Sequence, residues 1–167
     1  MDRKKIVSIV ITLLLVICSG ATAFADGIDY SQWSSSGNYP SDITNTEYFT
    51  AVKILMDRGV ITGDTDGLFH PEKNITRAEF AKIMAISTNN ATNLDENAKR
   101  NTFSDMSGYT WAKPYINAAA KAGIFEGVGG GKFEPWRNVT YAEAVTAILK
   151  ATNSSYSQIA ATGTWPQ

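Results

Sequence analysis

A gap-free shift of 64 residues lays one stretch of this 167-residue chain onto another. Gly59, Gly63, Gly67, Phe69, Pro71, Asn74, Thr76, Ala78 and Glu79 fall on Gly123, Gly127, Gly131, Phe133, Pro135, Asn138, Thr140, Ala142 and Glu143. Val60/Ile124, Ile75/Val139 and Lys73/Arg137 are conservative pairs in the same register. Nine identities within 21 positions, concentrated on Gly, Pro and helix-capping residues, mean that one supersecondary unit is used twice. A unit this small cannot bury its apolar face alone, so two copies must pack on each other or on something else.

Each copy reads as helix, loop, helix, which makes the fold all-α. Tyr48, Ala51, Val52, Leu55 and Met56 recur at helical spacing, and Gly59 stands where a C-terminal cap belongs. The second copy repeats this with Tyr115, Ile116, Ala119, Ala120 and Gly123, with Pro114 tolerated in the first turn. Glycine-rich connections follow, from Gly63 to Pro71 and from Gly127 to Pro135, with Phe69 and Phe133 as inward-facing plugs. Thr76-Arg77-Ala78-Glu79 and Thr140-Tyr141-Ala142-Glu143 then read as capping boxes that start the second helices. Thr76, Glu79, Thr140 and Glu143 are therefore structural caps before they are anything else. Ile75 and Phe80 add a hydrophobic staple, weaker in the second copy where Val139 meets Ala144.

The flanks carry a different signal. Residues 1–25 open with Asp2-Arg3-Lys4-Lys5, run through an almost unbroken apolar stretch from Ile6 to Cys18, and end on Ala23-Phe24-Ala25. That is the pattern of a secretory signal peptide cleaved before Asp26, and its apolar run is too short to span a bilayer. Cleavage takes out three of 15 basic and one of 16 acidic residues and leaves a net charge of about −3. With no clustered basic face, a nucleic-acid partner is not expected. No membrane contact is expected after cleavage, and the mature chain lacks cysteine. The resulting division is a leader over 26–39, repeat 1 over 40–87, a linker over 88–102 and repeat 2 over 103–152. Residues 153–167 read as a further linker and, at Trp165-Pro166-Gln167, the opening of an incomplete third repeat.

Phe103-Ser104-Asp105, Trp111-Ala112, Tyr115-Ile116, Ala122-Gly123-Ile124, Gly127 and Phe133-x-Pro135 resemble an S-layer homology (SLH) repeat. Gly59-Val60-Ile61-Thr62-Gly63, Asp66-Gly67-x-Phe69-x-Pro71 and Ile75-Thr76-Arg77-Ala78-Glu79-Phe80-Ala81 resemble another. Two departures stand out: Glu47 replaces the tryptophan found at Trp111, and Tyr141 replaces the motif arginine. The resemblance implies part of a pseudo-threefold helical bundle with glycan grooves between neighbouring repeats. It also implies an exported protein held non-covalently at the bacterial cell wall or S-layer. The implied ligand is an anionic, often pyruvylated, secondary cell-wall polysaccharide attached to peptidoglycan.

On that reading Arg77 at the helix start offers a guanidinium to a carboxylate, where the helix dipole also favours an anion. Trp111 is expected to stack on a sugar face, and the Asp66-Gly67 turn lets backbone approach the ligand closely. Tyr141 brings no charge, so the second groove is expected to bind the acidic group weakly or not at all. Further SLH repeats or self-association are the other expected partners. The alternative function is a structural protein of the surface layer whose repeats mediate assembly rather than glycan binding.

No cofactor, metal site or enzyme activity is expected. An EF-hand register over Thr62 to Lys73 puts a cation where calcium needs a bidentate Glu. His70 is the single histidine and reads as a surface loop residue, so no triad or His-based zinc site can form around a second imidazole.

Overall fold

A computed structural model describes residues 39–152. The expected signal peptide, most of the leader and the expected third-repeat start lie outside the described residues. Within them the chain forms five helices and no strand: α1 (Phe49–Asp57), α2 (Arg77–Ser87), α3 (Leu94–Lys99), α4 (Lys113–Lys121) and α5 (Tyr141–Ala151). The all-α reading holds.

The helix ends form as the residue types dictate. Gly59 (φ +66°) and Gly123 (φ +69°) adopt the left-handed conformation just past α1 and α4. The Val60 amide donates to Leu55 O and the Gly59 amide to Met56 O, and Ile124 with Ala119 and Gly123 with Ala120 repeat the pair, so both ends are Schellman motifs. Both capping boxes are closed: Thr76 and Thr140 accept from the Glu79 and Glu143 amides, and each glutamate accepts from its threonine amide.

The interior is organised across the repeats rather than within them. The larger core joins Phe80, Ala81 and Met84 of α2 to Ile116 and Ala119 of α4 and to Ala147 and Ile148 of α5. The second helix of repeat 1 thus packs on the first helix of repeat 2. Phe80, Phe125 and Phe133 meet edge to face, with centroids 5.7 and 5.3 Å apart. A smaller core of Ile43, Tyr48, Val52, Leu55 and Val60 lies under α1, and Ile83 of α2 touches both cores.

Two features were not read from the sequence. The linker stretch contains α3, a short helix fastened by Asn117 of α4, whose buried amide donates to Asn97 O (2.7 Å) and Arg100 O (3.0 Å). Each glycine-rich loop is also held by an upstream aspartate. Asp42 accepts from the Phe69 (3.0 Å) and His70 (2.7 Å) amides, and Asp105 accepts from the Phe133 (2.9 Å) and Glu134 (2.8 Å) amides. This clamp sets the left-handed turn at His70 (φ +55°) and Glu134 (φ +57°) and seats Phe133 fully inside the core. Phe69 is only half-buried, so the plug expected there closes less completely.

The two repeats dock where their capping boxes meet. The Arg77 amide donates to Arg137 O (2.8 Å), Ala78 to Pro135 O (3.1 Å) and Val139 to Ile75 O (3.0 Å). The orphan amides at the start of α2 are thereby satisfied by the other repeat.

These carboxylates predict an acid limit. Burial pushes the Asp42 carboxyl up, but the amides of Phe69 and His70 outweigh it and hold it below the ordinary 3.8. Glu143 is raised by burial and lowered more by Arg137, the Thr140 cap and Arg77, ending below the ordinary 4.5. A depressed carboxylate contributes stability that is present above the unfolded value and lost as pH falls through the folded one. The urea midpoint should therefore hold at neutral pH and drop below pH 4.5 and then 3.8. Glu143→Gln should flatten the upper part of that drop, and an equally steep acid limb in the variant would contradict it.

Candidate functional site

A cleft of about 550 Å³ opens between the repeats. Repeat 1 contributes the loop from Val60 to Asp64, the Phe69–Ile75 stretch, and Glu79, Lys82 and Ile83 of α2. Repeat 2 contributes Trp111 and the start of α5, including Val139 and Tyr141. Trp111 keeps 47% of its surface exposed and Tyr141 41%, large for aromatic side chains in so small a protein. The cleft thus has an apolar floor of Ile61, Phe69 and Ile83, an accessible indole, and Lys82 nearby. Lys82 Nζ lies 5.8 Å from the Tyr115 ring and has no carboxylate within ion-pair range among the described residues.

Arg77 does not face this cleft, which corrects the expectation drawn from its motif. It is 1% exposed, with its guanidinium inside repeat 2. Nε donates to Phe133 O (2.8 Å), Nη1 to Glu143 Oε1 (2.5 Å) and Nη2 to Glu126 O (2.9 Å). The rings of Phe125 and Phe133 each lie 4.5 Å from the guanidinium carbon. The fork geometry of arginine satisfies three acceptors at once, and the ring faces supply cation–π attraction. Burial lowers the Arg77 pKa and Glu143 opposes that shift, so the cation is retained by its partner. Glu143 is accordingly more than a cap: it also takes Arg137 Nη2 at 2.6 Å, and Arg137 Nε reaches Glu134 at 2.8 Å.

Asp66 and Gly67 are not brought to the cleft wall. Asp66 accepts from the Leu68 amide (3.0 Å) and His70 Nε2 (2.7 Å), and Gly67 takes φ +81° at the tip of that turn. The aspartate closes its own turn, which accounts for both residues. Asp64, within the rejected EF-hand register, pairs with Lys73 at 2.8 Å, and the described residues contain no cluster of metal-binding side chains. Trp111, Thr140 and Glu79 do line the cleft. Lys82 and the clamp aspartates Asp42 and Asp105 were missed. The Ser-Asp pairs at 41–42 and 104–105 signal the clamps, but their offset is 63, one residue out of the repeat register.

A family model described as the S-layer homology domain matches residues 41–81 and 102–145, about half of the chain. The chain belongs to the S-layer homology family. It is similar to the middle cell wall protein of Brevibacillus brevis, 31% identical over 98% of this chain and 14% of that protein. The surface-layer 125 kDa protein of Lysinibacillus sphaericus is 40% identical over 60% of this chain and 8% of its own length. A protein named exoglucanase XynX, from Acetivibrio thermocellus, is 32% identical over 66% of this chain and 10% of its own. The chain therefore spans a minor part of the relatives it matches. No solved structure matches it. Among the described residues no helix is long and apolar enough to cross a membrane.

Proposed function

We propose that this SLH pair holds an exported protein at the bacterial cell surface by binding an anionic secondary wall polysaccharide in the cleft between the repeats. The observation that carries the reading is the accessible indole of Trp111 in a groove that both repeats line. An exposed tryptophan over an apolar floor offers a flat face to a sugar ring, and concave sites with few polar groups suit small ligands. With Arg77 committed to the interior, the cation that meets an acidic substituent such as a pyruvyl carboxylate is Lys82. Lysine acts there as a point charge rather than a bidentate fork.

Similarity to proteins named for the cell wall and surface layer supports the location. That a similar stretch forms a tenth of a protein named as an exoglucanase fits a module carried by different cargoes, with no catalysis of its own. Trp111→Ala should weaken co-sedimentation with purified sacculi at least tenfold, about 1–2 kcal/mol as for a central aromatic anchor. Because Trp111 is half-exposed, the melting midpoint should barely move. Unchanged binding by this variant would remove the cleft from the account.

A further inference from the structure

A second, more open hollow of about 600 Å³ lies on repeat 2 and shares no lining residue with the cleft. It is bounded by the stretch from Asn101 to Thr110, by Lys113 at the start of α4, and by the glycine tip at Gly130 and Gly131. The half-buried Phe103 ring gives it an apolar floor. Lys113 is the charged residue of this lining. Its Nζ donates to the neutral Asn101 Oδ1 (2.9 Å), and no carboxylate lies within ion-pair range of it among the described residues. Asp105, close by in sequence, is spent on the Phe133 and Glu134 amides. The Ser107 and Thr110 hydroxyls and the Gly130 and Gly131 amides have no partner within the described residues.

This chemistry is not shared by the two repeats. At the 64-residue shift Lys113 falls on Phe49 and Gly130 on Asp66. Phe49 packs edge to face on Tyr39 at 5.9 Å, and Asp66 closes its own turn onto the Leu68 amide and His70. Repeat 1 thus has a ring and a carboxylate where repeat 2 has an ammonium and a bare amide. Gly129, Gly130 and Gly131 take φ of +101°, +58° and +71° in succession, a run that glycine alone adopts at low cost. A Cβ on any of the three would meet nothing within 4 Å, so lack of space does not account for them. Ser104 holds the tip through its carbonyl side, its amide (2.9 Å) and hydroxyl (3.2 Å) both donating to Gly131 O. The amides of the tip are left as donors.

We infer that this hollow binds the phosphate ester of a sugar or polyol. An ammonium, two hydroxyls and two backbone amides can all donate, and a lining without carboxylates favours an anion rich in acceptor oxygens. A tetrahedral phosphate accepts from donors that arrive from separate sides, here Lys113, the glycine tip and the Ser107–Thr110 turn. A planar carboxylate is better matched by the paired donors of an arginine, which this lining lacks. The hollow is larger than a bare ion requires, and Phe103 offers apolar surface to the carbon skeleton of an ester. The same group occurs on soluble sugar phosphates and in phosphodiester-linked polymers, and the test separates the two sources.

The test is two-dimensional amide NMR of the full chain titrated with glycerol 3-phosphate, with glycerate and glycerol as controls. Saturable shifts are expected at Ser107, Thr110, Gly130 and Gly131 at about millimolar ester, at least tenfold weaker with glycerate and absent with glycerol. Lys113→Gln should weaken ester binding at least tenfold. Gly130→Asp places the side chain of repeat 1 in a backbone conformation that aspartate tolerates, and it should abolish binding. Lys113 is half-buried and Gly130 exposed, so unchanged resonances elsewhere will show that both variants fold. Competition by a glycerol phosphate polymer would support the site and assign the ester to a polymer, whereas ester binding without competition would support it for a soluble ester. Trp111→Ala should leave the titration unchanged, so this site and the cleft fail separately. No shifts at about ten times that ester concentration, equal binding of glycerate, or undiminished binding by Lys113→Gln would each overturn it.

Discussion

Replacing Arg77 by alanine should destabilise the pair of repeats by about 3–5 kcal/mol, the range for removing one partner of a buried charge pair. The variant leaves the buried Phe133 O and the partly buried Glu126 O without their donor and opens a void between Phe125 and Phe133. A domain with roughly 5–15 kcal/mol in total would lose a large part of its stability, visible as a lower urea midpoint. Arg77→Lys should recover only part, since one ammonium cannot reach three divergent acceptors. Glu143→Gln keeps the cap of α5 but removes the charge. In a double-mutant cycle it should show more than about 1 kcal/mol of coupling to Arg77. Additive effects would mean that the pair seen at 2.5 Å is not an energetic unit.

Gly127→Ala should be the second large effect, at about 2–3 kcal/mol from overpacking. A Cβ at Gly127 would lie 2.5 Å from Lys132 O and 2.6 Å from the Phe103 ring, and that ring packs at a 49° tilt against Phe133, 5.2 Å between centroids. The backbone oxygen cannot retreat without breaking the Val128 to Lys132 hydrogen bond of 2.9 Å. Gly63→Ala, the matching change in repeat 1, meets Leu68 O at 2.9 Å and only the Pro40 side chain at 3.4 Å, so it should cost less. Equal thermal midpoints for the two variants would show that the loop relaxes freely.

Local chemistry was legible wherever it acts within a few residues. The capping boxes, the left-handed Gly59 and Gly123, and the helical stripes of Phe80, Ala81 and Met84 all form as their residue types require. What sequence reasoning missed depends on contacts between distant segments. Arg77 sits at a helix start, where an arginine ordinarily reaches solvent. Only the docking of repeat 2, with Phe125 and Phe133 closing over it, turns the side chain inward. Helix α3 is short and polar, and it is held by Asn117 from another helix, so its own stretch gives no apolar period to read.

The same distinction explains the functional residues. Trp111 was singled out through the family resemblance, and the structure leaves it 47% exposed on the cleft wall. Asp66 and Gly67 looked available to a ligand because turns are open, yet their groups are spent on closing the turn with Leu68 and His70. Lys82 lies on α2 between buried Ala81 and half-buried Ile83, and nothing in the sequence marks it as facing the groove. Arg77, singled out from its motif, starts the same helix, and its side chain turns away from the cleft into repeat 2.

The most direct measurement of the central claim is co-sedimentation of the chain with purified sacculi, before and after chemical removal of their secondary polysaccharide. An anchor that reads the acidic polymer through the cleft pellets with intact walls, is released on stripping, and loses binding with Lys82→Gln. Pelleting that is indifferent to both the polymer and Lys82 would contradict glycan recognition and leave assembly between repeats as the function.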